Sequence, residues 1–300
     1  MHPEKNQIEE QLKQVRSIVV DCLCDTKISG FIEANKDLFC NGKMLRARLT
    51  LVLGGANGID RETLVRAAAA VEIIHGASLL HDDVIDGGVL RRGAPAFWKR
   101  HGTNGAILLG DLLVFKGLQL VAETQRADLL EELISMATNV CSSEVEQELV
   151  LRGAPGTWEE CEQIARAKTG SLFAFAAVAA AATEADGQAD AFRTAGFILG
   201  TAYQLADDVL DASGNEAVSG KTLGTDRKRG KTTAITAIRN APTQPADYIY
   251  SLLETSSAQL ADWPTSRCVW DYYLNDVLKP LLNDYFCSTT PITKRGTGFG

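Results

Sequence analysis

The chain is short of histidine (four residues), has no CxxC pair among its seven cysteines (Cys22, Cys24, Cys40, Cys141, Cys161, Cys268, Cys287), and lacks any surplus of basic charge. Each shortage excludes a class. Scattered cysteines in odd number make a poor disulfide framework and a poor zinc site. Thirty Lys plus Arg against 38 Asp plus Glu leave a net charge of −8, the wrong sign for a broad nucleic-acid footprint. The opening MHPEKNQIEEQLKQ lacks a basic-then-apolar secretory pattern, and the longest apolar run, Leu172 to Ala182, is short for a bilayer. A cytoplasmic protein with no transmembrane segment and no nucleic-acid partner is expected. Strict alternation of β-branched residues is scarce too, so strands should be rare.

What remains is helix. Ala- and Leu-rich stretches with charges at three- and four-residue spacing run through Ile8 to Cys24, Leu45 to Gly54, Glu62 to Val84, Ala106 to Thr124 and Asp128 to Leu151. They continue through Thr157 to Ala182, Ala191 to Leu210, Thr232 to Arg239, Tyr248 to Leu260 and Val269 to Tyr285. Thr157 and Glu160 have the spacing of a capping box. The longest polar, Gly-rich interruption is Ala212 to Lys231. The expected architecture is all-α, a single antiparallel helical bundle with a central apolar cavity over residues 1–287, followed by a tail at 288–300.

Two acidic clusters interrupt apolar helix ends. Asp82, Asp83 and Asp86 sit in HDDVIDGG, and Asp207, Asp208 and Asp211 in YQLADDVLD, with the same i, i+1, i+4 spacing. That spacing puts the first and last carboxylate one turn apart on one face. Aspartates there repel one another and oppose the helix dipole; one cluster alone reads equally as a metal site or an ordinary charged helix end, and the recurrence of the pattern favours the metal site. Two helices delivering carboxylates to one cavity make an all-oxygen site for a hard cation, and Mg²⁺ suits it. Cationic residues stand near both clusters: Lys43, Arg46, Arg91, Arg92 and Lys168, with Lys221, Lys228 and Lys231 after the second. Carboxylate, metal and cation together suit a diphosphate. GTDRKRGKT at Gly224 to Thr232 has five residues between its glycines and no preceding strand, so it is no nucleotide P-loop.

Taken in order, GKMLRAR, HGASLLHDDVIDGGVLRRG, AKTGSLF, YQLADDVLD and GKTLGTDRKRGKTT resemble the motifs of the trans-isoprenyl diphosphate synthases (polyprenyl synthetases), from about Gly42 to Thr233. The resemblance implies condensation of isopentenyl diphosphate with an allylic diphosphate. By similarity, Asp82, Asp86 and Asp207 hold two or three Mg²⁺ ions. Asp83, Asp208 and Asp211 support that shell, and Arg91, Lys168, Lys221 and Lys231 contact the allylic phosphates. Lys43, Arg46, His75 and Arg92 take the isopentenyl diphosphate, Thr169 and Gln204 neighbour the carbocation, and the Ala212–Lys231 segment serves as a lid. Ala77 and Ser78, one turn before Asp82, stand where family members stopping at 15 carbons tend to carry an aromatic floor. Small residues there imply a longer product, with Ile74, Val71 or the neighbourhood of Phe115 as deeper floors. The alternatives are a short-chain synthase or a non-catalytic subunit of a hetero-oligomer. A homodimer through the Ala106–Thr124 region is expected. Two departures stand out: Ser143 replaces a glycine before Glu144, and the family's usual terminal arginine is missing.

Overall fold

The computed structural model describes residues 5–24, 26–35, 42–151, 153, 156–183, 185–213 and 242–287. Its elements are helices α1 (Lys5–Cys24), α2 (Ser29–Ala34), α3 (Leu45–Ala56), α4 (Arg61–Ile85), α5 (Phe97–His101), α6 (Thr103–Ala122) and α7 (Ala127–Leu149). There follow α8 (Trp158–Ala165), α9 (Ser171–Val178), α10 (Gln188–Ser213), α11 (Pro245–Ala258), α12 (Pro264–Tyr272) and α13 (Lys279–Cys287). Among the described residues the β structure is one hairpin, β1 (Leu90–Arg91) paired antiparallel with β2 (Ala94–Pro95). The all-α expectation holds. The short helices α2 and α5 were missed because five or six residues show too little periodicity. The Thr232–Arg239 expectation and the tail at 288–300 lie outside the described residues.

Local chemistry sets the helix ends. The Asp60 side chain caps α4 by accepting from the Thr63 amide at 3.0 Å. Thr157 and Glu160 close the capping box of α8 reciprocally. Between α8 and α9 the helix widens into a π turn, Arg166–Gly170, and a second π turn, Tyr273–Leu278, joins α12 to α13. Such widenings re-aim side chains within a continuous helix; the first carries Lys168 and Thr169.

The buried apolar side chains form one contiguous cluster, in which α4 lies against α3, α6 and α1, and α10 crosses α9. Where α10 crosses the first π turn the contact is backbone to backbone: a Cβ on Gly200 would fall 2.6 Å from the Gly170 Cα. Gly200→Ala should therefore destabilise the protein by about 1–3 kcal/mol, as overpacking of a rigid contact does. Thermal melts check this, and an unchanged midpoint would show that the crossing yields.

Helices α4 and α6 are each long and apolar enough to cross a bilayer by length and composition, a possibility that the longest uninterrupted run did not flag. Most of the apolar stretch of α4 is buried within the protein, 61% against 39% for α6, so α4 is accounted for as a core helix. On α6, Leu108 and Phe115 are 67% and 69% exposed.

Candidate active site

A cavity of about 600 Å³ collects the ends of α4 and α10, the start of α3, the β1 hairpin and the first π turn. Asp82 and Asp83 occupy the last turn of α4 and Asp86 its C-cap, where the Asp86 amide donates to the Asp82 carbonyl at 2.7 Å. Asp207, from α10, lines the same cavity. The two acid-tipped helices thus share one hollow. The cations Lys43, Arg46, Arg91, Arg92 and Lys168 line it as well, with His75.

Asp82, Asp83 and Asp208 have defined neighbours. Asp83 is 4% exposed and accepts from the Arg91 Nε at 3.0 Å. Burial pushes its carboxyl above the usual range, against the pull of Arg91. Arg91 is also drawn to Asp82 and Asp207, which ties the hairpin to both acidic ends. The Lys168 ammonium lies 3.5 Å from Asp82 Oδ2 and forms an ion pair with Glu144. Burial alone would lower its pKa, but Asp82 and Glu144 raise it overall, so it stays charged. Thr169 donates to Gln204 Oε1 at 2.6 Å, and Gln204 Nε2 donates to Asp208 Oδ1 at 2.8 Å.

The remaining cations gather around the turn before α3. Arg46 is 6% exposed, with its guanidinium 4.7 Å from the Phe173 ring centroid. Its counter-charge is Glu72, on α4, which also accepts from the Ala47 amide at 3.0 Å. Burial pushes the Glu72 carboxyl up while Arg46 holds it down. Burial, then the guanidinium groups of Arg46, Arg92 and Arg91, drives the His75 imidazole well below its ordinary range, so His75 is neutral at neutral pH. Arg92 has a left-handed backbone (φ 52°) and its side chain lies over Gly42, whose added Cβ would meet Arg92 at 3.1 Å.

The placement corrects several expectations. Ala77 is 1% exposed and not part of the cavity wall; Ser78 and Leu79 are, with Val140 and Leu172. Ile74 and Val71 are buried in the core, while Phe115 is at the surface, so none of the expected deeper floors meets the cavity. Asp208 does not line the cavity and reaches it through Gln204. Among the described residues no three His, Cys, Asp or Glu side chains converge as a ready metal cluster, so Asp82, Asp86 and Asp207 do not form one by themselves. The Asp211 side chain and Lys221, Lys228 and Lys231, with the expected lid, lie outside the described residues.

Four cavity residues with ionisable side chains had gone unassigned: Glu72, Glu144, Tyr203 and Tyr285. For Glu72 a signal existed, because Glu72, His75, Leu79, Asp82 and Asp86 fall at three- and four-residue steps along one stripe of α4.

A family model described as polyprenyl synthetase matches residues 30–263. The chain belongs to that family. It is 35% identical over 218 residues to octaprenyl diphosphate synthase of Haemophilus influenzae, covering 71% of this chain and 66% of that one. To the short chain isoprenyl diphosphate synthase of Methanocaldococcus jannaschii it is 34% identical over 204 residues, covering 66% and 62%. The chain therefore spans a little under two thirds of these two family members. A crystal structure of polyprenyl synthase from Caulobacter crescentus, complexed with calcium and isoprenyl diphosphate, superposes with a TM-score of 0.79 at 28% identity, over 94% of this chain and 96% of that one.

Proposed function

We propose that the chain is a trans-prenyltransferase that condenses isopentenyl diphosphate with an allylic diphosphate to give a linear polyprenyl diphosphate longer than farnesyl. One observation carries the reading: Asp82, Asp83, Asp86 and Asp207 line one cavity with five cationic side chains. A single anion needs fewer cations; two diphosphates need most of them.

The donor set suits Mg²⁺. It is all oxygen, and an incomplete carboxylate set fits an ion whose remaining positions go to water and phosphate oxygens. The Caulobacter relative with calcium and isoprenyl diphosphate supports the same use of a divalent ion. When bound, the metal supplies Lewis-acid neutralisation of the leaving diphosphate. Arg91 and Lys168 hold the allylic phosphate oxygens, and Lys43, Arg46, Arg92 and neutral His75 hold the second diphosphate. The allylic carbon–oxygen bond breaks with its electron pair leaving on diphosphate. The terminal carbon of isopentenyl diphosphate then bonds to the allylic cation, and its C2 proton goes to the departed diphosphate. The Thr169 hydroxyl donates its hydrogen bond to Gln204 Oε1, which leaves the hydroxyl oxygen lone pairs available to the cation. Leu79, Val140 and Leu172 keep water from it.

The test is turnover of isopentenyl diphosphate with geranyl, farnesyl and geranylgeranyl diphosphate primers, with and without EDTA. Magnesium-dependent elongation supports the reading, and no elongation from any primer would sink it.

Product length rests on Ser78, the small residue that lines the wall. Ser78→Phe should shift the products by at least one isoprene unit toward shorter chains, read by chromatography. A shorter-product reading is favoured by the branched apolar side chains of Leu79, Val140 and Leu172, which line the cavity beside Ser78. A wild-type product no longer than farnesyl would establish it.

The exposed Leu108 and Phe115 on α6 support a homodimer, since apolar side chains this exposed on one helix face are commonly covered by a partner. Leu108→Glu with Phe115→Glu should halve the mass measured by light scattering. Cys24, Cys141, Cys161 and Cys268 are in no disulfide, which supports a reducing, cytoplasmic setting.

A further inference from the structure

The turn that presents Lys43 and Arg46 is strained. Met44, between them, has φ 49° and ψ 45°, a left-handed backbone that methionine rarely adopts. Such a conformation persists only where the surroundings over-determine it. Three contacts do so here. The Ala47 amide donates to Glu72 at 3.0 Å. The Tyr273 hydroxyl, fully buried, donates to the Leu45 carbonyl at 3.0 Å. The Lys43 ammonium donates to the Tyr285 hydroxyl at 3.0 Å and stands 4.9 Å from the centre of its ring. Two of the three come from the C-terminal π turn and α13, where no recognisable motif lies.

Tyr285 is 8% exposed, lines the cavity, and its hydroxyl is 3.3 Å from that of Tyr203, four residues before Asp207. A lysine ammonium on a four-carbon stem is a poor anion clamp unless something aims it. A carboxylate partner would aim it but also cancel its charge. A phenol hydroxyl and ring face aim it and leave the charge available. Lys43 therefore differs from Lys168, which is held by two carboxylates.

We infer that Tyr285 is a positioning residue for the homoallylic diphosphate: it aims Lys43 into that subsite while Tyr273 fixes the backbone of the turn, making the C-terminal helix part of the site. This rests on the function proposed above. The contribution is specific to one of two substrates, because the turn is held by Glu72, Tyr273 and Tyr285, whereas Asp82 is paired with Lys168.

The experiment is Tyr285→Phe, which keeps the ring and removes the hydroxyl. KM for isopentenyl diphosphate should rise about tenfold, the usual worth of a hydrogen bond to a charged group. KM for the allylic primer and kcat should stay within about twofold. Because Tyr285 acts through Lys43, the double variant with Lys43→Ala should be no worse than Lys43→Ala alone. An unchanged KM, a parallel rise for both substrates, or additive losses in the double variant would overturn the assignment. Calorimetric titration of isopentenyl diphosphate into the same four proteins reads the same cycle without turnover. A wild type that elongates no primer would thus defeat the enzymatic reading alone, and the titration would still decide Tyr285. Should Tyr285→Phe fail to fold, Tyr285→His, which keeps a ring and a hydrogen-bonding group, should retain KM within about threefold, and a tenfold loss there would count against the proposal.

Discussion

Asp82→Ala should lower kcat by on the order of 10³-fold while leaving the fold intact, the upper end of what removing one preorganised electrostatic group costs. Asp82 lines the cavity from the last turn of α4 and also touches Lys168. Its loss removes a proposed ligand for the metal and an anchor for the lysine in one step. The fold should tolerate this because Lys168 keeps Glu144 as a partner, so no buried charge is stranded. Kinetics across a magnesium titration, with thermal melts alongside, check both halves. Activity above about a tenth of wild type at saturating magnesium would remove Asp82 from the metal site.

Arg46→Met should act in the opposite way, chiefly on stability. Arg46 is nearly inaccessible, and its counter-charge Glu72 lies beside it under the same turn. Glu72 keeps Arg92 and the Ala47 amide as partners, so the loss is that of a partly compensated charged group, about 1–3 kcal/mol. For a chain of this size that is a fall in Tm of about 2–12 °C. The pH dependence identifies the cause. Burial already holds the Glu72 carboxyl above its unfolded value, and without Arg46 it rises further. A carboxyl with a raised folded pKa favours the folded state below its unfolded pKa and loses that advantage as pH rises through the folded value. The deficit of Arg46→Met should therefore be smaller at pH 5 than at pH 8. A deficit independent of pH would mean that lost packing against Phe173, not the stranded carboxylate, is responsible.

Much of the site was legible in the sequence, and the reason is local. Asp82 and Asp86 are one helical turn apart, so their shared face follows from the 3.6-residue period alone. Asp207 and Gln204, on one stripe of α10, follow in the same way. Arg91 lies five residues after Asp86, close enough in the chain to return to the same end of α4. Local spacing erred where orientation around a helix mattered. Ala77 and Ser78 are adjacent, yet about 100° apart around α4, so only Ser78 meets the cavity and Ala77 enters the core. Asp207 and Asp208 divide likewise: one lines the cavity, the other supports Gln204.

From the sequence alone came the helical class, the paired acidic ends, the cations suited to diphosphate and the family. These depend on periodicity, residue chemistry and motif order, which are properties of short stretches of chain. Only the tertiary structure decided that the two acidic ends share one hollow, that Glu72 balances Arg46, and that Lys43 is held by a tyrosine 242 residues away. Contacts at such separation are set by how helices stack and cross, where glycine close approaches and buried side chains choose the register, and no spacing rule within one helix contains that information.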